Sequence, residues 1–204
     1  MEVHEAHEAV HHAAHGHGGH EEHGLSSRNV RIAVLISVIA CLLAIIEIGG
    51  KGSQHTALTA HIEASNLWAF FQAKTIRMTL TKTSADMMES MLPKDLPADQ
   101  AEAWKKQIDS FRASAKRFDS EPETREGRKE LMARAKESEA RHDKALQAYH
   151  LFEYASAAMQ IGIVLASASA ATGVVVLSYL AGGLALVGSV VAGIAWIAPT
   201  ALHF

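Results

Sequence analysis

Charge and apolarity are segregated along the chain. Residues 32–48 (IAVLISVIACLLAIIEI) and 154–202 are nearly free of charge, and most of the charge lies between Lys51 and Glu153. A soluble chain spreads its apolar residues periodically, so runs this long predict membrane spans. As a helix the first run covers about 26 Å, enough for a hydrocarbon core. It follows an acidic, histidine-rich tail and exits through Glu47-Ile-Gly-Gly-Lys-Gly52, without a small-x-small cleavage site, so it reads as a retained anchor rather than a leader peptide. The second region is too long for one span. It divides into about 155–177 and 181–198, with a turn expected near Ser178-Tyr179 and Gly182-Gly183.

The pattern yields four segments: a tail at 1–28, a first span at 29–50, an extramembrane domain at 51–153 and a helical hairpin at 154–204. The fold class expected is an all-α membrane protein. Three transmembrane helices carry a helical hairpin or three-helix, coiled-coil-like domain between the first and second spans. Small residues recur every fourth position in the hairpin, at Ala158, Gly162, Ala166 and Ala170 and again at Ala181, Ala185, Ser189 and Gly193. Lipid supplies no hydrophobic drive between helices, so such stripes are expected to hold the two spans by close backbone approach.

In the domain, Gly49-Gly50-Lys51-Gly52 predicts a break, followed by a helix from about Gln54 to Met91. Pro93 and Pro97 bracket a turn, and a second helix covers about 98–119. Its Trp104, Ile108, Phe111, Ala115 and Phe118 follow the 4-3-4-3 spacing of a coiled-coil seam. Ser120-Glu-Pro-Glu123 has the form of a capping box, so a third helix is expected to start there and run into the second span. The first of these helices carries two apolar sides. Leu67, Trp68, Phe71 and Met78 share one, with Phe70 on its flank; Leu58, Ile62, Ala69, Ala73, Ile76 and Leu80 lie roughly opposite. Glu63, Lys74 and Arg77 form the narrow charged strip between them. The second helix is the natural cover for one side. The other falls to the third helix, to a second chain or to the bilayer surface. The interaction face expected comprises Leu67, Trp68, Phe70, Phe71, Ile62 and Ile76.

Composition then narrows the function. The chain has 204 residues and a formal net charge of −3, with Lys and Arg interleaved among Asp and Glu, so no nucleic-acid face emerges. Cys41 is the single cysteine and reads as a small buried apolar residue. Glu47 is the one carboxylate within a span and lies within a turn of its end, so neither a proton relay nor a solitary transporter is indicated. The middle region offers no nucleophile elbow, phosphate-binding glycine loop, HExxH or CxxC, and no enzyme is expected. The tail is different. His4, His7, His11, His12, His15, His17, His20 and His23 alternate with glutamates and supply ligands suited to zinc, nickel or copper. A glycine-containing tail of this kind has little preorganised geometry, so a weakly acidic tail without a metal role is the competing reading.

The order of tail, span, charged helical region and apolar hairpin, with Trp68-Ala-Phe-Phe-Gln-Ala-Lys-Thr-Ile-Arg77 at its centre, resembles a family of small bacterial membrane proteins catalogued as domain of unknown function 4337. The resemblance rests on a W-A-F-[aromatic]-Q-A-K-x-I-R core. It implies a multi-pass protein of the bacterial inner membrane and brings no activity or site. Positive charge votes both ways on sidedness. Arg28 and Arg31 against Lys51 favour a cytoplasmic tail, while Lys136, Arg141 and Lys144 favour a cytoplasmic domain, and the domain is the side adopted. The function expected is structural: the lipid bilayer anchors a helical domain that assembles as a homo-oligomer or docks on a membrane-protein partner. The alternative is a metal-binding accessory to a transporter, and a third reading is a pore lined by Ser167, Ser169 and Thr172.

Overall fold

The computed structural model describes residues 27–93 and 95–201. Among these the chain is all-helical: α1 (Ser27–Ser90), α2 (Ala98–Asp119), α3 (Arg128–Thr172), α4 (Val175–Ile197) and a 3-10 turn at Pro199–Ala201. Helices α1, α3 and α4 are each long and apolar enough to cross a membrane.

The spine is α1, 64 residues without interruption and about 96 Å long. The break expected at Gly49-Gly50 is absent. Helical glycine costs about 1 kcal/mol against alanine, and here the missing side chains admit a neighbour. A Cβ on Gly49 would lie 2.9 Å from the Phe152 ring, and one on Gly50 would lie 3.3 Å from the Phe152 Cβ. The ring fills this notch and meets Trp196 edge-on at 5.7 Å. The glycines therefore seat α3 against α1 at the edge of the apolar region.

One heptad register runs the length of α1. Ile32, Ile39, Ile46, Ala60, Leu67 and Lys74 are buried at intervals of seven, with half-buried Ser53 completing the series. Gly50, Ala57, Ala64 and Ala85 hold the companion position, together with half-buried Phe71 and Met78. A strict period of seven supercoils helices left-handedly and keeps one seam facing the partner. On α3 the buried series Leu131, Ala135, Ser138 takes one short step between Ala145 and Ala148 before continuing as Phe152, Ala155, Met159, Gly162, Ala166 and Ser169. That step turns α3 so that its apolar part packs on α1 and α4 together.

A three-helix bundle does not form. Helices α2 and α3 barely touch; they stack end to end along α1. The α3 helix covers α1 as far as Leu67, where Leu131 and Ala135 close the core. Beyond that α2 takes over, with Ile108 and Ala115 buried on its 4-3-4-3 seam. The side containing Leu67 and Met78 is thus shared: the third helix covers it at Leu67, and the Trp104–Phe118 seam covers it beyond.

Two other boundaries move. The third helix starts at Arg128, not Ser120, because Glu130 rather than Glu123 closes the turn. Its carboxylate accepts from Ser120 Oγ at 2.6 Å and from the Glu121 N–H at 3.2 Å. Arg125 takes a left-handed φ of 56° in that turn. The apolar hairpin turns at Gly173-Val174 rather than near Ser178–Gly183. Gly173 ends α3 with φ 76°, the conformation glycine adopts at no steric cost, and Ser169 Oγ donates to the Val174 carbonyl at 2.9 Å. Close approach does hold the hairpin, but at intervals of four and three. Gly162 and Ala166 meet Ala181 as expected, and Ala185 joins the core around Ala155 and Met159; further along, Gly188, Ala192 and Ala195 are buried in place of Ser189 and Gly193. A Cβ on Gly188 would stand 3.0 Å from the Ala155 carbonyl oxygen, while one on Gly193 would meet nothing within 4 Å. Cys41 faces outward rather than into the core.

Candidate interaction surface

The Trp68–Arg77 stretch sits where α3 gives way to α2 as the cover of α1, and its spacing divides it between two sides. Trp68 and Phe71 point into the joint. Trp68 Nε1 donates to Glu139 Oε1 at 2.7 Å, and its ring meets Phe71 edge-on at 5.3 Å. The Arg128 guanidinium lies 5.7 Å from the Phe71 ring centre. Lys74, expected in a solvated strip, occupies the inward heptad position; its side chain is only 8% exposed. The ammonium lies 5.4 Å from the Phe70 ring and 5.6 Å from that of Phe118, with the Glu126 carboxylate at 3.9 Å. Two aromatic faces and one carboxylate replace part of its hydration. Gln72 and Arg77 are exposed.

Beside Lys74 the α2–α3 joint is ionic. Asp119, at the end of α2, accepts from Lys129 at 2.7 Å and from Arg128 at 2.9 Å. The hydrogen bond from Lys129, then that from Arg128, holds the Asp119 carboxyl below the usual carboxylate range. Ser120 Oγ does the same for Glu130, and Arg117 for Glu121. The sign follows from linkage. A carboxylate whose pKa is depressed by folding stabilises the fold above its unfolded pKa of about 4, and that contribution is lost as pH falls through the depressed folded value. Acidification below about pH 4 is therefore expected to open residues 119–130 before the α1–α3 seam. Hydrogen exchange in those residues should rise first, and Asp119→Asn should remove part of the pH dependence. Uniform exchange across α1 and α3 at the same pH would contradict this.

A cleft of about 830 Å³ opens above the joint between α1 and α2, lined by Lys82, Arg112, Lys116 and Arg128 and by Asp86, Asp109 and Asp119. With four cations against three carboxylates, the mixture of signs gives it little preference for an anion or a cation.

The opposite side of α1 is uncovered. Leu58, Ile62, Ile76 and Leu80 are exposed to 58, 52, 68 and 66%, and Met87 extends the same line. Ser65, Ala69 and Ala73 fill the intervals, and Phe70 borders it at 37% exposure. At 100° per residue this stripe lies about 180° from the covered seam. Between Leu58 and Met87 it runs about 44 Å with no charge on its midline. Of the six residues expected to mediate interaction, Leu67, Trp68 and Phe71 line the internal seam, Ile62 and Ile76 lie on the outer side opposite, as their spacing predicts, and Phe70 borders that outer side.

The eight tail histidines, His4 to His23, lie outside the described residues. Among the described residues no group of three or more His, Cys, Asp or Glu side chains is arranged to hold a metal ion. The His61 and His142 rings approach to 5.1 Å, but His142 Nδ1 donates to the Ala57 carbonyl at 2.9 Å, a bond within the seam.

A family model described as Domain of unknown function (DUF4337) matches residues 28–198. No curated protein and no solved structure matches the chain.

Proposed function

Since the chain belongs to the family described as Domain of unknown function (DUF4337), which supplies no activity, we propose from the geometry that it is a membrane-anchored assembly rod without catalysis. Its polar part stands in the cytoplasm on the bacterial inner membrane, and the outer stripe of α1 is its docking surface. The observation that carries this reading is the second apolar line on a helix whose first is already covered. Two-stranded coiled coils keep their outer positions polar; here they hold isoleucine, leucine and methionine. Anchoring fixes height and direction, so a second copy presents the same stripe at the same level, as a two-fold parallel pair requires.

Native mass spectrometry of gently extracted protein is expected to show whole multiples of 21.9 kDa. Ile76→Glu with Leu80→Glu should return the monomer while leaving the helical content unchanged, since neither side chain packs in the internal seam. A foreign subunit lost in the same variant would replace self-assembly by docking to a membrane complex. A wild-type monomer without partners would end the proposal. The alternative reading, a divalent-metal accessory to a transporter, is supported by the tail histidines alone. A metal-dependent growth defect rescued only by the full-length chain would favour it.

A further inference from the structure

At the end of the bundle remote from the rod, α1 and α4 touch only sparsely and leave a wedge of about 470 Å³. Arg28, Arg31 and Val175 stand towards its outer end, Leu35 and Gly182 lie deepest, and Ser178 and Tyr179 fall between. Among the described residues neither guanidinium forms an ion pair with a carboxylate. The sequence has no Asp or Glu between Glu22 and Glu47, and none beyond Glu153. Arg28 is drawn over the α3–α4 turn, where its Nη2 would lie 3.4 Å from a Cβ on Gly173. This position brings it beside α4. Tyr179 is 78% exposed and places an amphipathic ring at the same level.

From this arrangement we infer that the wedge binds one anionic phospholipid. The guanidiniums hold the phosphate in forked hydrogen bonds, and an acyl chain runs down the apolar groove. A point-charge role would need only the arginines. The groove runs inward from the level of Arg28 and Val175 to Leu35 and Gly182, about 10 Å along α4, and the space at Gly182 is open, since a Cβ there would meet nothing within 4 Å. An apolar channel descending from a basic rim fits a phosphate with a hydrocarbon tail better than a free anion.

The test uses the full chain in detergent, titrated with phosphatidylglycerol, phosphatidylcholine or inorganic phosphate and read by native mass spectrometry. One phosphatidylglycerol is expected to be retained at least tenfold more strongly than phosphatidylcholine. Arg28→Gln with Arg31→Gln should abolish that preference, and Lys51→Gln, at the other end of the span, should leave it intact. Gly182→Leu projects a side chain into the groove without touching the arginines and should weaken retention by roughly tenfold. Equal retention of both lipids, or preference unchanged in the arginine variant, overturns the assignment. Competition by millimolar inorganic phosphate as effective as by lipid overturns it in favour of a free-anion site.

Discussion

Lys74→Glu is expected to destabilise the rod by about 3–5 kcal/mol, the range for stranding an uncompensated charge in a protein interior. Lys74 stands between Phe70 and Phe118, so a carboxylate there would face the negative faces of two rings and the Glu126 carboxylate as well. Lys74→Met is the informative companion. It keeps length and apolar contact while removing the charge, and replacement of a buried ion by a well-packed apolar side chain is often neutral or stabilising. Thermal melts of the two variants in one detergent should therefore move apart, with the glutamate variant well below wild type and the methionine variant at or above it. Equal losses would show that the ammonium itself is needed to hold the 120–127 turn on α1.

Gly49→Leu should separate α1 from α3 at the edge of the apolar region. Its Cβ alone would lie 2.9 Å from the Phe152 ring, so the ring must leave the notch. Overpacking of this sort costs about 1–3 kcal/mol. Gly52→Ala is the control. Nothing lies within 4 Å of its added Cβ, and it removes a helical glycine, so it should stabilise by about 0.5–1 kcal/mol. If the glycines formed a hinge, both variants would act through stiffness and shift the melt in one direction. Opposite shifts are expected, and cysteine cross-linking across the α1–α3 seam should fall only in the leucine variant.

Much of the fold is legible in the residues. The apolar runs mark three helices fit to cross a membrane, and the Trp104–Phe118 spacing places the buried side of α2. What misleads is local chemistry read without its partner. Gly49-Gly50 signals a break until Phe152, a hundred residues on, is known to fill the gap. Ser120-Glu-Pro-Glu123 has the composition of a cap, yet Glu130 supplies the carboxylate after a left-handed Arg125. Gly182-Gly183 lies inside α4, and the turn falls at Gly173, because either glycine site could end a helix and only packing selects between them. Lys74 was hidden for a different reason. Viewed over three turns it belongs to a charged strip, but counted in sevens from Ile32 it falls on the seam. The stripe from Leu58 to Leu80 was readable from spacing alone, because an outer side requires no partner to be recognised.

The unbroken register of α1 also has a mechanical consequence. A helix that leaves the bilayer without a kink and stays clasped by α3 and then α2 has no joint at which motion can be absorbed. From Gly50 to Ser90 it projects about 60 Å, so a 10° change in the tilt of its anchor sweeps the far end through about 10 Å. Bilayer thickness, or a neighbour pressing on the span, is thereby amplified at the tip. The protein is built as a lever whose fulcrum is the membrane surface.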